Sequence, residues 1–311
     1  MPVVPLIDRF HGCLLGLAVG DALGAPFECQ SSDQISGRYP TPQALIANPP
    51  VGTLRYTDDT QMAIGVAETL VENLDILEER LCHHFASNYV PSRGYGSGTR
   101  RVLEAMQERR DHREIAATHS PGGSLGNGAA MRVAPVGLFF HDDLDQVWEQ
   151  ARLSALPTHT HPLGIEGAQL LAVAVALGLR DDPFDRAAFF GELLRRCTSD
   201  EHRARLDRAA STEDVAGLGN GIKAPESVPT AIALFASAPD SYPDVIGRAI
   251  LLGGDTDTIA AMAGALAGAH LGIHAVPDGL LRRLEDEGKG KTFLTDLAER
   301  LHQSHETRKG A

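Results

Sequence analysis

The sequence predicts an all-α protein, folded as a single compact orthogonal bundle of many helices. Apolar residues recur at a spacing near 3.6 in several segments of the 311-residue chain, which places them on one face of a helix. No run of alternating β-branched or aromatic residues bounded by hairpin signals occurs, so strands are not expected. Hydrophobic residues make up 43% of the chain and aromatic residues 5%, so the core depends on Leu, Ala, Val and Ile.

Helices are predicted wherever this apolar spacing persists. The first two lie around residues 7–18 and 63–74, each with one apolar face. Residues 170–179 are apolar almost all round, which indicates a helix inside the protein. Residues 258–271 are rich in Ala and Gly, so a neighbouring backbone can come close. Apolar residues between 280 and 301 predict one or two C-terminal helices.

Composition and charge restrict the class of protein. No repeat or linker divides the chain, so residues 1–302 are expected to form one domain, with the polar residues 303–311 as a disordered tail. The net charge of −13 repels nucleic-acid phosphates, so no direct binding of nucleic acid is expected.

Cysteine spacing and hydropathy bear on location. None of the four cysteines is spaced as CxxC, so a zinc site or redox pair is not predicted, and reduced thiols are typical of a cytoplasmic protein. The first ten residues lack the basic and apolar regions of a signal peptide. The longest apolar stretch, residues 170–179, is shorter than the roughly 20 residues that a membrane span needs. We therefore expect a cytoplasmic protein without membrane contact, and a monomer.

Two acidic clusters, RYTDDT (55–60) and GGDTDT (253–258), stand just before predicted helices. Asp and Thr are preferred N-caps, so each cluster alone is explained as a helix cap. A cap needs one side chain, however, and each cluster has two Asp with flanking Thr hydroxyls. If Asp58, Asp59, Asp255 and Asp257 meet in space, some of them must protonate unless divalent cations compensate their charge. Oxygen ligands favour magnesium, manganese or calcium.

Three further motifs contain candidate binding residues. In the loop GGSLGNG (122–128) the backbone could face a phosphate, although composition alone favours a simple turn. Glu28 ends the segment GDALGAPFE (20–28), in which the first predicted helix passes into a loop, and a solvated carboxylate is the usual finding for Glu in a loop. His159 and His161 are two residues apart and share no helix face, which makes them a poor zinc pair.

The ordered set YTDDTQMA (56–63), GNGAAMR (126–132) and GGDTDTIA (253–260) resembles the ADP-ribosylglycohydrolase family over about residues 8–275. The segments GNGIKAPESVPTAIALF (219–235) and LLGGDTDTIAAMAGALAGAHLG (251–272) are most similar to the branch that removes ADP-ribose from serine and degrades poly(ADP-ribose). The resemblance implies a site with two Mg²⁺ ions, for which Mn²⁺ or Ca²⁺ could substitute. The implied metal ligands are Thr57, Asp58, Asp59, Asp255, Asp257 and Thr258.

The resemblance also implies roles for other residues. Glu28 and Asp257 would be catalytic, and Asp257 would contact both ions. The implied substrate contacts are Asp58, Gly122, Gly123, Ser124, Leu125, Gly126 and Asn127, His159 near the diphosphate, and Ile222 near adenine. Relatives in the serine-directed branch stack aromatic residues on adenine, and the matching positions here are His119 and Leu125. Adenine stacking is therefore expected to differ from that of the relatives.

The activity implied is metal-dependent hydrolysis of the bond between ADP-ribose and a protein side chain. Serine-linked ADP-ribose is the expected substrate, with poly(ADP-ribose) and O-acetyl-ADP-ribose as further candidates. Three alternatives remain at this point. They are an arginine-directed hydrolase, although such relatives lack a glutamate at the position of Glu28; a non-catalytic ADP-ribose-binding protein; and a phosphatase of the haloacid-dehalogenase type, whose first Asp would follow a buried parallel strand.

Overall fold

Helices account for the whole architecture of the part of the chain that the structure describes. The computed structural model describes residues 3–180, 183–212 and 214–310. Within these residues no strand occurs, and the β-type pairing is limited to three isolated bridges. The α-helices are α1 (Leu6–Gly24), α2 (Ser32–Ser36), α3 (Pro42–Ala47), α4 (Asp58–Asn73), α5 (Glu78–Asn88), α6 (Ser97–Gln107), α7 (His112–His119), α8 (Ala134–Phe139), α9 (Leu144–Ala155), α10 (Pro162–Gly178), α11 (Arg186–Arg196), α12 (Asp200–Ser211), α13 (Ala224–Ser237), α14 (Tyr242–Leu251), α15 (Thr256–Leu271), α16 (Asp278–Leu281) and α17 (Lys291–Gly310).

The all-α prediction is confirmed, and each predicted helix is present. The phosphatase alternative is wrong, because Asp255 follows helix α14 and the glycines Gly253 and Gly254 rather than a strand. Helix α10 is buried around nearly its whole circumference, as its continuous apolar character predicts. It packs against α8, α9, α13 and α15.

The helix pair α1 and α15 forms the centre of the fold. Small residues recur at every fourth position of α1, so they form one stripe along the helix. A Cβ atom placed on Gly20 would lie 2.2 Å from the backbone oxygen of Ala260, and one on Gly12 would lie 2.3 Å from that of Gly268. Only a residue without a side chain allows this backbone contact. The stripe on α1 and the residues that face it on α15 are Gly12 and Gly268, Gly16 and Gly264, Gly20 and Ala260, and Gly24 and Asp257.

The C-terminal residues differ from the sequence-based expectation of a disordered tail. Helix α17 continues to Gly310 and packs on α1 and α4. His305 is completely buried and its Nδ1 lies 2.7 Å from the backbone oxygen of Phe139. The expectation failed because His305 extends the buried stripe of α17 by one turn, whereas its polarity suggested exposure. Of the remaining residues in the expected domain and tail, residues 1, 2, 181, 182, 213 and 311 lie outside the described part.

One helix is long and apolar enough to cross a membrane by length and composition. It is Leu6–Phe27, which is longer than the apolar stretch considered in the sequence analysis. Within its most apolar window, 83% of the residues are buried inside the fold. Burial of this kind is also found in the core helix of a globular protein, and α1 packs against α15 in this way.

Candidate active site

A cavity of about 330 Å³ lies where helices α4 and α15 begin, close to the end of α1. This volume is within the range of about 300–1,000 Å³ that is usual for ligand-binding pockets. The cavity brings together the two acidic clusters, which are nearly 200 residues apart in the sequence. The predicted site residues that line it are Glu28, Thr57, Asp58, Asp59, His119, Ser124, Gly126, Asn127, His159, Ile222, Asp255, Asp257 and Thr258.

The first acidic cluster is organised by the start of helix α4. Thr57 is the N-cap residue, and its Oγ1 accepts a hydrogen bond from the backbone N–H of Asp59 at 3.4 Å. The same hydroxyl lies 2.8 Å from Asp59 Oδ2, to which it donates. Because Thr57 performs the capping, Asp58 and Asp59 are not needed as caps. Their carboxylates are therefore available to the cavity.

Asp21 is a residue of the site that sequence analysis missed. It is completely buried near the end of α1, and its carboxylate accepts hydrogen bonds from the backbone N–H groups of Thr57 and Thr60. The Thr60 hydroxyl donates to the same carboxylate at 2.5 Å. These bonds fix the backbone on both sides of the first acidic cluster. The signal in the sequence was a carboxylate in the apolar second half of α1, since a buried charge must find partners.

The second acidic cluster begins helix α15 without capping it. Asp255 occupies the N-cap position, yet its side chain makes no capping hydrogen bond. Its Oδ2 instead accepts a bond from Asn127 Nδ2 at 2.5 Å, and the same amide group lies 3.0 Å from Ser227 Oγ. Asn127 therefore orients Asp255, although the resemblance implied a substrate contact for it. Capping, which explained this cluster from sequence alone, does not explain Asp255.

The loop that carries Glu28 is pinned beside the second cluster. Cys29 donates its backbone N–H to the oxygen of Gly254 at 2.9 Å, and the N–H of Gly254 bonds to Gln30 O at 2.9 Å. Glu28 itself is exposed. One carboxylate oxygen each of Glu28, Asp255 and Asp257 lies within 4.8 Å of the other two. The structure thus unites two of the predicted ligands with the predicted catalytic glutamate.

Burial and mutual repulsion raise the pKa values of the clustered carboxylates. Burial, and then the charge of Asp21, raises the pKa of Asp58 to about 7. Burial, and then the charge of Asp255, raises the pKa of Asp257 to about 9. The pKa of Asp59 lies well above its usual value for the same two kinds of reason. These groups cannot all be ionised near neutral pH unless a cation compensates their charge.

The residues present fit a hard divalent cation. Asp59 Oδ1 is buried and has no hydrogen-bond partner among the described residues. A buried carboxylate oxygen without a partner is costly, and a metal ligand bond would satisfy it. The surrounding side chains offer carboxylate and hydroxyl oxygens, which are the ligands that magnesium and similar ions prefer.

His159 is held as a hydrogen-bond donor to the cavity. Arg132 is completely buried, and its Nη2 donates to the Thr158 hydroxyl at 2.8 Å. The Thr158 oxygen lies 2.7 Å from His159 Nδ1, and we assign the proton of this bond to the Thr158 hydroxyl because Arg132 already donates to that oxygen. With this assignment the proton of the neutral imidazole is on Nε2, which lies near Gly126. Burial, and then the charge of Arg132, lowers the pKa of His159 to about 3, so the ring stays neutral.

Three predicted substrate-binding residues do not line the cavity. Gly122 and Gly123 adopt φ angles of +86° and +89°, which glycine accommodates in a tight turn. A Cβ atom on Gly123 would lie 2.3 Å from the backbone nitrogen of His161, so this glycine is required for packing. Leu125 accepts a backbone bond from Ala224 at 3.0 Å, which attaches the loop to α13. The first part of the glycine-rich loop therefore forms a simple turn and does not face a ligand.

His119 and Ile222 lie at the edges of the same cavity. Ile222 is 69% exposed and lines the cavity, so its apolar side chain is open to a ligand. The ring of His119 covers Gly98, where a Cβ atom would approach its Cδ2 to 2.7 Å. Of the two positions at which adenine stacking was expected to differ, the structure therefore places His119 at the cavity and Leu125 outside it.

Comparison with known proteins bears on the family of this chain. A model of the ADP-ribosylglycohydrolase family matches residues 2–311. The chain belongs to the ADP-ribosylglycohydrolase family. It is 35% identical to ADP-ribosylhydrolase ARH3 of Homo sapiens, covering 96% of this chain and 93% of that protein. It is also 34% identical to an uncharacterized protein of Archaeoglobus fulgidus, covering 96% and 97% respectively.

Among solved structures, an ADP-ribosylglycohydrolase-related protein complex has a similar fold. The TM-score is 0.73 at 28% sequence identity, covering 96% of this chain and 99% of that one. This ADP-ribosylglycohydrolase is therefore a hydrolase of its family, and the family implies ADP-ribosylated substrates. The group formed by Glu28, Asp255 and Asp257 is its candidate acidic metal site.

Proposed function

We propose that this enzyme hydrolyses the O-linked bond between ADP-ribose and a serine side chain, using two divalent cations of the magnesium type. The observation that carries the proposal is the position of Glu28, whose carboxylate lies within 4.8 Å of those of Asp255 and Asp257. The resemblance to the serine-directed branch, which has a glutamate at this position, supports the same linkage. Poly(ADP-ribose) and O-acetyl-ADP-ribose are further candidate substrates because they are also O-linked.

The proposed cations are held by both acidic clusters. Bound divalent cations supply a Lewis acid that acidifies a water molecule and orients ribose hydroxyls. The orphaned oxygen of Asp59 and the raised pKa values of Asp58 and Asp257 support this assignment, since cations would relieve both. Asn127 and Asp21 would keep the ligands in place without contacting an ion. The proposed ligands are Thr57, Asp58, Asp59, Asp255, Asp257 and Thr258.

The proposed role of Glu28 follows from the leaving group. A serine alkoxide leaves poorly unless it receives a proton, so cleavage of the glycosidic bond requires an acid beside the leaving oxygen. Burial, and then the charge of Asp255, raises the pKa of Glu28, which favours the protonated acid. We assign this proton transfer to Glu28. Its exposed position at the cavity mouth leaves room for the protein that carries the modified serine.

The remaining cavity residues are proposed to hold the ADP-ribose moiety. His159 would donate from Nε2 to a diphosphate oxygen, and it can do so at neutral pH without carrying charge. Ser124 and Gly126 line the same side of the cavity. At its edge, the exposed Ile222 and the ring of His119 would contact adenine. This arrangement uses one apolar side chain and one imidazole in place of two aromatic rings.

A substrate panel tests the proposal. The purified enzyme with magnesium would be assayed on serine-linked, arginine-linked and polymeric ADP-ribose and on O-acetyl-ADP-ribose. Serine-linked ADP-ribose should be released fastest, and excess EDTA should abolish its release. Glu28→Gln should lower kcat by at least about a hundredfold, the size of an acid–base contribution, with less effect on ADP-ribose affinity. The matched control is Asp33→Asn, which changes an exposed carboxylate five residues further along the chain.

The outcomes separate the alternatives. Release from arginine alone would refute the serine assignment and leave an arginine-directed hydrolase. Binding of ADP-ribose without turnover of any substrate would indicate a non-catalytic binding protein. Unchanged kcat in Glu28→Gln would remove Glu28 from the mechanism. Asp257→Ala provides the expected inactive reference.

A further inference from the structure

A second cluster of metal-binding side chains lies outside the acidic site. Glu78 and Cys82 are four residues apart on α5, so they share one face of that helix, and His112 is the first residue of α7. One ligand atom of each residue lies within 4.8 Å of the other two. We infer that Glu78, Cys82 and His112 form a binding site for a single transition-metal ion of the zinc type.

The distances between the ligand atoms suit a tetrahedral ion. Zinc lies about 2.3 Å from sulfur and about 2.0–2.1 Å from nitrogen, so two such ligands are about 3.5 Å apart across a tetrahedral edge. Cys82 Sγ lies 3.7 Å from His112 Nε2, and His112 Nε2 lies 3.6 Å from Glu78 Oε1. An ion can therefore bind after small side-chain shifts. Three protein ligands leave a fourth position open to water.

The donor set differs from that of the acidic site. Sulfur and nitrogen together select zinc-type ions, whereas the oxygen ligands around Asp255 and Asp257 select magnesium-type ions. Burial, and then the charge of Glu78, raises the pKa of Cys82 to about 12, so its thiol is protonated without metal. Metal binding would release that proton to solvent, leaving the thiolate as the ligand. One chain would thus hold two classes of cation at separate places.

Arg113 is the existing partner of Glu78 and does not block the site. Arg113 donates from Nε to Glu78 Oε1 at 3.0 Å and from Nη2 to Glu78 Oε2 at 2.5 Å. Each carboxylate oxygen has two lone pairs, so Glu78 can accept both bonds and still offer a lone pair to an ion. Helix α7 begins at His112 and ends at His119, which lines the substrate cavity. A bound ion would therefore attach one wall of the cavity to α5.

Titration of the full-length, metal-free protein with Co²⁺ tests the inference. Cobalt replaces zinc in such sites and reports a thiolate ligand by a sulfur-to-metal charge-transfer absorption band. The band should appear with one equivalent of Co²⁺, and zinc should displace it. Cys82→Ser should abolish the band, and His112→Ala should raise the Kd for Co²⁺ by more than about tenfold. The matched control is Glu79→Gln, which removes an exposed carboxylate next to Glu78 and should change nothing.

Two further variants distinguish this site from the acidic one. Asp257→Ala should keep the cobalt band, because the two sites share no ligand. Cys29→Ser should also keep it, although this exposed cysteine follows Glu28 directly. Absence of the band in the unmodified protein, its survival in Cys82→Ser, or its loss in Cys29→Ser would overturn the inference. None of these outcomes bears on serine-linked hydrolysis, which is measured separately with magnesium.

Discussion

Replacing Gly20 by alanine should separate the two central helices of this enzyme. The new Cβ atom would lie 2.2 Å from the Ala260 oxygen, whereas ordinary contact begins at 3.4 Å. The helices must therefore part by about 1 Å, because a backbone oxygen cannot rotate away as a side chain can. Overpacking of this kind costs about 3 kcal/mol, and alanine returns about 1 kcal/mol through its higher helix propensity. The net loss in free energy of unfolding is about 2 kcal/mol.

The same substitution elsewhere in the chain should have the opposite sign. Gly191 lies inside α11, and a Cβ atom there meets nothing within 4 Å. Gly191→Ala should stabilise the protein by about 1 kcal/mol, since only helix propensity changes. Urea denaturation of both variants without metal measures the difference, expected to be about 3 kcal/mol. Equal stability of the two variants would refute the argument that direct backbone contact between α1 and α15 requires glycine.

Three other predictions concern residues around the cavity and in the core. Asp21→Ala should lower the free energy of unfolding by about 1–2 kcal/mol, because three donors near the first cluster lose their acceptor while the repulsion of Asp58 by Asp21 is relieved; denaturation without metal checks this. Thr158→Val removes the hydroxyl that keeps the proton of His159 on Nε2, so the Kd for ADP-ribose should rise about tenfold. Calorimetry showing an unchanged Kd would exclude this role of Thr158. Burial alone would raise the pKa of Glu166, but hydrogen bonds from His202 and neighbouring groups lower it below its usual range. Glu166→Gln should therefore lower the free energy of unfolding by about 2 kcal/mol near neutral pH and by less at about pH 3. A carboxylate whose pKa is lowered by folding contributes its full stabilisation above the pKa of the unfolded chain, and this contribution is lost as the pH falls towards the pKa of the folded protein.

Local patterns predicted much of the fold. The apolar spacing of α1, α4, α10 and α15 depends on neighbours three and four residues apart, which a sequence displays directly. The C-terminal end of α17 escaped prediction because burial of His305 depends on Phe10 and Phe139, which come from distant segments. Polarity at one position does not reveal such a neighbour.

Some residues of the candidate site were also predictable from the sequence, and others were not. Thr57 and Asp59 were recognisable as candidate ligands from their sequence context. Asn127 was recognisable as a site residue, but its contact with Asp255 spans 128 positions and became visible only in the structure. The cysteine spacing predicted no metal site, yet Cys82 and His112, separated by 30 positions, lie 3.7 Å apart. Spacing rules for zinc ligands describe local loops and do not cover ligands from two separate helices.

The sequence by itself determined the helices, the acidic composition of the two clusters and the family to which the enzyme belongs. The tertiary structure decided which carboxylates meet, that Asp21 and Asn127 hold them, and that Gly122, Gly123 and Leu125 lie outside the cavity. The physical reason is the distance along the chain over which each interaction acts. Helix formation and capping act within about four residues. Repulsion between carboxylates, and its relief by a cation, depends on distances that only the packing of α1, α4 and α15 establishes.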